Sequence, residues 1–214
     1  MELARDALAE LLKAPSHKPP TLTKRLNGKS AEPLVLELAA GSGAPLSRWC
    51  FSWLLPEARA VLNDLSHQQL KALRDTPQWQ PPSGIAEVLE ADALAAVLDL
   101  AKREPAARFQ LIGWQFLLGY YGPKSSKFKR LPEELSKIIA PNGLVVFTEN
   151  RFLQHGDRMD PVQNYYSRTD DEMLAPWLDA DFHLLRKIPY GRNNAGIDNE
   201  VLWIFSTLKL PPPM

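Results

Sequence analysis

One stretch, residues 33–45, constrains the fold more than any other part of this chain. Residues 34–36 are an apolar Leu-Val-Leu run without polar alternation, as in a strand buried on both faces of a parallel sheet. Glu37 ends the run, and the small residues 39–43 precede a helical pattern that begins near Leu46. Glycine permits positive φ and lets a ligand approach the backbone. A strand, an acid, a small-residue turn and a helix together predict a nucleotide-binding turn.

Two classes of cofactor use such a turn. Pyrophosphate-binding folds place a phosphate at the helix N-terminus, whereas Rossmann-like methyltransferases place the adenosyl and amino-acid parts of S-adenosylmethionine there. Here the turn carries Ala39, Gly41 and Gly43, so it differs from acid-x-Gly-x-Gly-x-Gly by one methyl group. The turn alone leaves both classes open, because small-residue turns after strands also arise from packing.

Length and composition predict one α/β domain that spans residues 1–214. Of the 214 residues, 45% are hydrophobic, which is enough for a full core. The 25 basic and 25 acidic residues balance, so we expect no nucleic-acid partner. No apolar run could span a bilayer, and the mixed charges at the N-terminus do not form a signal peptide. The single Cys50 fits a reducing compartment, so we expect a cytoplasmic monomer that could also enter the nucleus, without a membrane partner.

Hydrophobic periodicity predicts alternating helices and strands. A helix is expected over 2–14 and a loop over 15–29. Strands are expected at 34–38, 60–63, 85–89, 109–118, 144–148, 182–188 and 201–208. Helices are expected at 46–55, 68–75, 93–103, 131–139 and 171–178, with a long loop at 151–168. This order predicts a Rossmann-like doubly wound α/β sheet, mostly parallel, with a C-terminal antiparallel strand pair.

Acidic or polar residues follow four of these strands. Ligands of open α/β sheets bind at the carboxyl ends of strands. Asp64 could accept both hydroxyls of a ribose, and Asp92 beside Ala93 could hold the amino group of adenine. The cofactor-binding candidates are therefore Glu37, Gly41, Gly43, Asp64, Asp92, Ala93 and Gln115. Each acid alone is more often a solvated turn residue, but their regular recurrence at strand ends favours a cofactor site.

A basic cluster follows the fourth strand, with Lys124, Lys127, Lys129 and Arg130 close together. We expect it to form a solvated loop, and contact with an anionic substrate is the alternative.

Several motifs after residue 109 resemble a known family. These are Gln-Phe-Leu-Leu-Gly-Tyr at 115–120, Ile-Ala-Pro-Asn-Gly-Leu at 139–144, Glu-Asn at 149–150 and Asp-Pro-Val-Gln-Asn-Tyr-Tyr-Ser-Arg at 160–168. They resemble the protein α-N-terminal methyltransferases, and the resemblance covers most of residues 34–208. It implies a Rossmann-like fold, S-adenosylmethionine as cofactor and the free α-amine of an Xaa-Pro-Lys protein N-terminus as substrate.

The resemblance also implies site residues. Catalytic roles fall to Asn150, Asp160 and Tyr120, and substrate-binding roles to Phe116, Gln163, Tyr165 and Tyr166. The chain departs from the family at three positions: Ala44 replaces an Arg after the glycine turn, Tyr120 replaces a His, and Gln163 replaces the acid expected to deprotonate the amine. Neither replacement near the substrate is a good base, although an α-amine with a pKa of roughly 8 must lose a proton before it reacts.

Two other functions stay open from the sequence. A small-molecule methyltransferase of the same fold, with an amine among its substrates, would fit the departures at Tyr120 and Gln163. A non-catalytic binding or scaffolding paralogue would fit the weakened turn at Ala39 and Ala44. His155 and His183 are far apart and have no partners at metal-ligand spacing, so no metal is expected.

Overall fold

A computed structural model describes residues 6–10, 33–103, 108–122, 124–150, 159–160, 165–190 and 200–207. The strands are β1 (Leu34–Glu37), β2 (Arg59–Asp64), β3 (Ile85–Glu90), β4 (Phe109–Gln115), β5 (Ile139–Asn150), β6 (Met159–Asp160), β7 (Tyr165–Tyr166), β8 (His183–Tyr190) and β9 (Glu200–Ser206). The helices are α1 (Ser47–Phe51, π-helical, continued by Ser52–Leu54), α2 (His67–Asp75), α3 (Ala93–Lys102), α4 (Ser126–Ile138) and α5 (Asp170–Asp179). Residues 6–10 are also helical.

Seven strands form one sheet in the order β3-β2-β1-β4-β5-β9-β8. The pairs from β3 to β5 are parallel, whereas β9 runs antiparallel to both β5 and β8. The predicted doubly wound sheet with a C-terminal antiparallel pair is therefore confirmed. The strand order reverses between β1 and β4, and the carboxyl ends of β1 to β4 meet at one edge. That reversal is where open α/β sheets bind ligands.

The core lies on both faces of the sheet, as the apolar strand runs predict. On one face the Trp114 and Phe147 rings stack with centroids 4.5 Å apart, and Trp177 of α5 packs on Phe147 at 5.1 Å. On the other face, at Gly113 of β4, an added Cβ would lie 2.3 Å from the carbonyl oxygen of Val146 on the neighbouring strand β5. The same Cβ would lie 2.9 Å from the side chains of Leu46 and Phe51. Gly113 therefore seats the start of α1 against the sheet.

The predicted end of the fourth strand and the predicted start of the helix at 131–139 were wrong, and β5 begins at Ile139 and not at residue 144. The fourth strand ends at Gln115 and not at residue 118, because Phe116 has a φ of 55° and breaks the extended backbone. Helix α4 begins at Ser126 and not at residue 131, with the Ser125 hydroxyl accepting the Lys127 N–H at 3.3 Å. The predicted start at residue 131 would have placed Pro132 in the first turn, but Pro132 lies inside the helix.

The basic cluster is correspondingly not a loop. Lys127, Lys129 and Arg130 all belong to α4, and their side chains are exposed. The turn at 141–143 lies within β5, where Asn142 has a φ of 64°. Of the predicted loop at 151–168, the described part includes β6 and β7, which pair antiparallel. Within the described ranges, no helix has the length and apolarity needed to cross a membrane.

Candidate functional site

A cavity of about 760 Å³ opens at the edge where the strand order reverses. The turn after β1 supplies residues 39–43 and Pro45 to its wall. The ends of β2 and β3 supply Asp64, Asp92 and their neighbours, and residues 115–117 follow from β4. Six of the seven predicted cofactor-binding residues therefore lie around one cavity. These six are Gly41, Gly43, Asp64, Asp92, Ala93 and Gln115.

The turn after β1 contains three residues in the left-handed region of backbone space. Gly41 has a φ of 58°, Ala39 of 49° and Ala44 of 39°. The turn is anchored to β2, because the Ala40 N–H donates to the Asn63 carbonyl oxygen at 2.9 Å. For an alanine this conformation is strained, and such strain persists where surrounding structure enforces it. The hydrogen bond to β2 therefore helps to hold the turn in this strained conformation.

Glu37, the seventh predicted residue, supports the cavity from beneath and does not line it. Its side chain is 1% exposed, and its two carboxylate oxygens accept the backbone N–H groups of Leu46 (2.9 Å) and Ser47 (2.7 Å). Burial raises the pKa of Glu37 from 4.5 to about 7, although the two backbone donors oppose that rise. The acid at the end of β1 thus fixes the start of α1, and with it the exit of the turn.

Asp64 lies on the cavity wall and also braces the turn. Its Oδ2 accepts the Gly41 N–H at 2.8 Å, and its Oδ1 accepts the Ser66 N–H at 2.8 Å. A carboxylate has about four lone-pair sites, so two backbone donors leave capacity for hydroxyl groups of a ligand. Asp64, on the cavity wall beside the turn, could therefore accept hydrogen bonds from the hydroxyl groups of a ribose.

Asp92 caps α3 and pairs with a lysine from α4. Its Oδ1 accepts the Leu94 N–H at 3.1 Å, and its Oδ2 lies 2.9 Å from Lys127 Nζ. The Tyr121 hydroxyl oxygen lies 3.3 Å from the Leu94 nitrogen. Burial, aided by the charge of Asp92, raises the pKa of Tyr121 above its ordinary value, so the phenol stays neutral at physiological pH. This end of the cavity is polar and compact.

The segment after β4 forms the opposite wall. The Phe116 N–H donates to the Thr148 carbonyl oxygen at 2.9 Å, which holds the left-handed turn at that residue. Tyr120 also lines the cavity and is 58% exposed. Asn150 lies at the end of β5 in register with Glu200, and the described cavity wall does not include it.

Buried Glu149 fixes the backbone that follows β4. It accepts the indole N–H of Trp114 at 3.0 Å and the Leu118 N–H at 2.7 Å on the same Oε1. The first residue of the predicted Glu-Asn pair is therefore committed to the fold, and it sets the position of the segment that carries Tyr120.

Tyr166 lines a different cavity, of about 470 Å³, between α4 and α5. Buried Arg168 connects the two regions: its guanidinium lies 3.8 Å from the Phe128 ring centroid and donates to the Leu118 carbonyl at 2.8 Å and to the Tyr121 carbonyl. Among the described residues, Phe116 and Tyr166 therefore do not share one pocket wall.

The remaining predicted substrate residues are only partly described. Asp160 and Tyr165 pair across the β6-β7 ladder, and their side chains lie outside the described part of the chain. Gln163 lies outside the described residues altogether.

The lining residues that sequence reasoning did not assign to the site include Asn63, Leu65, Gln69, Tyr121 and Lys127. Leu65 is 73% exposed, and its position directly after the β2 acid could have drawn attention to it. Lys127 was visible as part of a basic cluster, but nothing in the sequence showed that α4 carries it to Asp92.

Comparisons with solved structures give the class of this fold. An S-adenosylmethionine-dependent methyltransferase from Leishmania major matches with a TM-score of 0.62 and 14% identity, covering 96% of this chain and 74% of that one. A methyltransferase of the same cofactor from Clostridium acetobutylicum has a TM-score of 0.56 and 13% identity, covering 82% and 84%. The glycopeptide N-methyltransferase MtfA, solved with S-adenosylmethionine, has a TM-score of 0.55 and 14% identity, covering 83% and 88%.

No protein-family model matches this sequence, and a search of curated proteins finds no significant match. At 13–14% identity, the structural likenesses establish the fold, which is the Rossmann-like fold of these methyltransferases. None of the three structures is described as a protein α-N-terminal methyltransferase, so that resemblance stays a hypothesis.

Proposed function

We propose that this chain, as a single domain over residues 1–214, is an S-adenosylmethionine-dependent methyltransferase. The observation that carries the proposal is the cavity that joins the turn 39–43, Asp64 and Asp92 at the strand reversal. Because β3, β2, β1 and β4 are neighbours in that order, an extended ligand would meet these parts in sequence. A base would lie at Asp92 and Ala93, a ribose at Asp64 and an amino-acid part over the turn.

The residues present fit such a ligand. Asp64 and Asp92 each retain acceptor capacity beyond the backbone N–H groups that they bind. A Cβ at Gly41 or Gly43 would have no protein atom within 4 Å, so space is open above the turn. The departure at Ala44 removes the family's carboxylate-binding Arg. The Ala40 and Gly41 N–H groups already donate to Asn63 and Asp64, so the backbone N–H groups of Ser42 and Gly43 would take over that contact.

S-adenosylmethionine, when bound, supplies a methyl group on an electrophilic sulfonium. The part of the chain next to that methyl would be the segment after β4, with Phe116 and Tyr120. Methyl transfer from a sulfonium is an in-line displacement, so these residues act chiefly by orienting the acceptor and excluding water. Asp64 and Asp92, the acids on the described wall, would lie at the ribose and base ends respectively. Gln163 stands where the family has an acid, so removal of the proton from an amine acceptor would fall to Asp160, to water or to deprotonation before binding. The rate would then rise with pH through the amine's own pKa, roughly 8.

The acceptor that we propose first is a protein N-terminal α-amine, on the resemblance at residues 115–120, 139–144 and 160–168. A small-molecule amine is the second candidate. It is favoured by the exposed Tyr120 in place of a His and by the separation of Tyr166 from the cavity.

The test begins with cofactor binding. Calorimetry with S-adenosylmethionine and S-adenosylhomocysteine should give saturable binding to the native chain and at least about a hundredfold weaker binding to Gly43→Val. A Cβ at Gly43 meets no protein atom within 4 Å, so the valine side chain would project into the ligand's space. Gly122→Val is the matched control, since its Cβ also meets nothing and the residue does not line the described cavity.

Transfer is then measured with a labelled methyl donor. Xaa-Pro-Lys peptides with free or acetylated N-termini are compared with a panel of small amines. Methylation of free peptides alone supports the α-amine, and methylation of small amines alone supports the second candidate. Binding without transfer to any acceptor would instead favour a non-catalytic protein. No binding of either ligand would refute the proposed function.

A further inference from the structure

Lys127 lines the cavity although it lies on helix α4 and not at the end of a strand. It lies in the first turn of α4, where its backbone N–H is bound by the Ser125 hydroxyl. Its ammonium lies 2.9 Å from Asp92 Oδ2 and 5.6 Å from the Tyr121 ring centroid. The side chains of Lys127 and Asp92 are 47% and 27% exposed, so both remain accessible from the cavity.

The pair offers a ligand a donor beside an acceptor. An ammonium carries three N–H donors, and a carboxylate about four acceptor sites. Asp92 uses its Oδ1 for Leu94 and its Oδ2 for Lys127, and further sites remain on each group. A purine base with an exocyclic amine presents a matching edge, since the amine donates and the adjacent ring nitrogen N7 accepts.

We propose that Lys127 contacts the base of the bound nucleoside and, with Asp92, reads the donor–acceptor edge of adenine. The inference rests on the proposed function, because it requires a nucleoside in this cavity. Asp92 accepts from the exocyclic amine, and Lys127 donates to the ring nitrogen beside it. An anionic acceptor is a poorer occupant of this end, because Asp92 already neutralises the lysine.

A ligand whose base carries an exocyclic oxygen distinguishes the contribution of Lys127 to binding from that of Asp92. In the hypoxanthine base of inosine, the amine is replaced by an acceptor oxygen that faces the Asp92 carboxylate unfavourably. Lys127 can still donate to that oxygen or to the ring nitrogen. The lysine therefore contributes more to binding of the inosine analogue than to binding of the adenosine ligand.

The test is calorimetry with S-adenosylhomocysteine and S-inosylhomocysteine on the native chain, Lys127→Met and Lys127→Arg. We expect Lys127→Met to weaken the adenosine ligand about five- to tenfold, the effect of a partly exposed charged hydrogen bond. It should weaken the inosine analogue further, and Lys127→Arg should restore part of both affinities. Lys129→Met is the matched control: it lies on the same helix and lines the other cavity, so both affinities should stay native.

Two results would overturn the role of Lys127 while leaving the proposed function intact. One is an affinity of Lys127→Met for both ligands that equals the affinity of the native chain. The other is an equal loss for both ligands with a lowered melting temperature, which would mean that the lysine merely braces α4 against α3. A native chain that binds neither ligand would instead refute the proposed function, and this inference with it.

Discussion

Glu37 ends strand β1 and Asp92 follows strand β3 by two residues, but the two acids differ in how deeply they are buried. Glu37 is 1% exposed and spends both oxygens on backbone N–H groups of α1. Asp92 is 27% exposed, and it shares its carboxylate between a helix cap and a lysine that faces the cavity. The same sequence signal thus yields one residue that builds the site and another that is available to a ligand. Burial separates the two roles, so replacing Glu37 should mainly change stability and replacing Asp92 should mainly change ligand binding.

Replacing Glu37 by alanine should have the largest effect. Leu46 and Ser47 would lose their acceptor in a buried setting, and a cavity would remain. We expect the free energy of unfolding to fall by about 2–4 kcal/mol, with ligand affinity lost as the turn loosens. Urea denaturation of the ligand-free chain measures this. A variant with native stability that had lost only ligand binding would mean that Glu37, like Asp92, acts on the ligand.

The titration of Glu37 gives a second test. Its pKa is about 7 in the folded chain and 4.5 in the unfolded one, so between these values the folded state alone holds the proton. Stability should therefore fall as pH rises from about 4.5 to 7, by on the order of 2–3 kcal/mol from this group. Glu37→Gln cannot titrate and should lose that part of the slope in urea midpoints measured across the range. An identical slope in both proteins would contradict the raised pKa.

Asp64 should show an intermediate pattern, because it both braces the turn and faces the cavity. Asp64→Ala should weaken S-adenosylhomocysteine by about 1.5–3 kcal/mol, the scale of hydrogen bonds to a charged group. Its cost in stability should be smaller than that of Glu37→Ala, since the residue is only half-buried. Calorimetry and urea denaturation on one preparation compare the two. A larger loss of stability than of binding would make Asp64 a structural residue.

Ala39→Gly should have the smallest effect, and in the opposite direction. Ala39 has a φ of 49°, where glycine is not strained. Removing its methyl group should stabilise the folded chain by at most about 1 kcal/mol. A thermal melt of the ligand-free protein measures the change. Destabilisation would mean that the Ala39 side chain contributes packing that outweighs its backbone strain.

The sheet could be predicted because each strand is an apolar run and the strands alternate with helices. The facing of Glu37 could not be predicted, since β1 is buried on both faces and its sequence carries no alternation. The end of β4 was misjudged because Phe116 adopts a left-handed conformation that neither a Gly nor an Asn announces. Pro132 was read as the start of a helix, although buried Phe128 lies one turn earlier on the same face.

The candidate site likewise has parts that could be predicted from the sequence and parts that could not. Its local parts, namely the turn after β1 and the acids at 64 and 92, could be inferred from spacing in the sequence. The pairing of Asp92 with Lys127, 35 residues apart, depends on how α4 packs beside α3. Tyr166 lines the second cavity next to Arg168, whose guanidinium lies 5.2 Å from the Tyr166 ring centroid and donates to a carbonyl group 50 residues earlier. Such long-range packing leaves no local trace.

Gly113 has a consequence for recognising distant relatives of this chain. Even a methyl group there would overlap the carbonyl oxygen of Val146 on β5 and would press on the Leu46 and Phe51 side chains at the start of α1. Surface positions can drift until overall similarity is lost, but this one tolerates no side chain while the helix keeps its seat. A glycine two residues before the end of the fourth strand is therefore a steric signature to look for in homologues that share little other sequence.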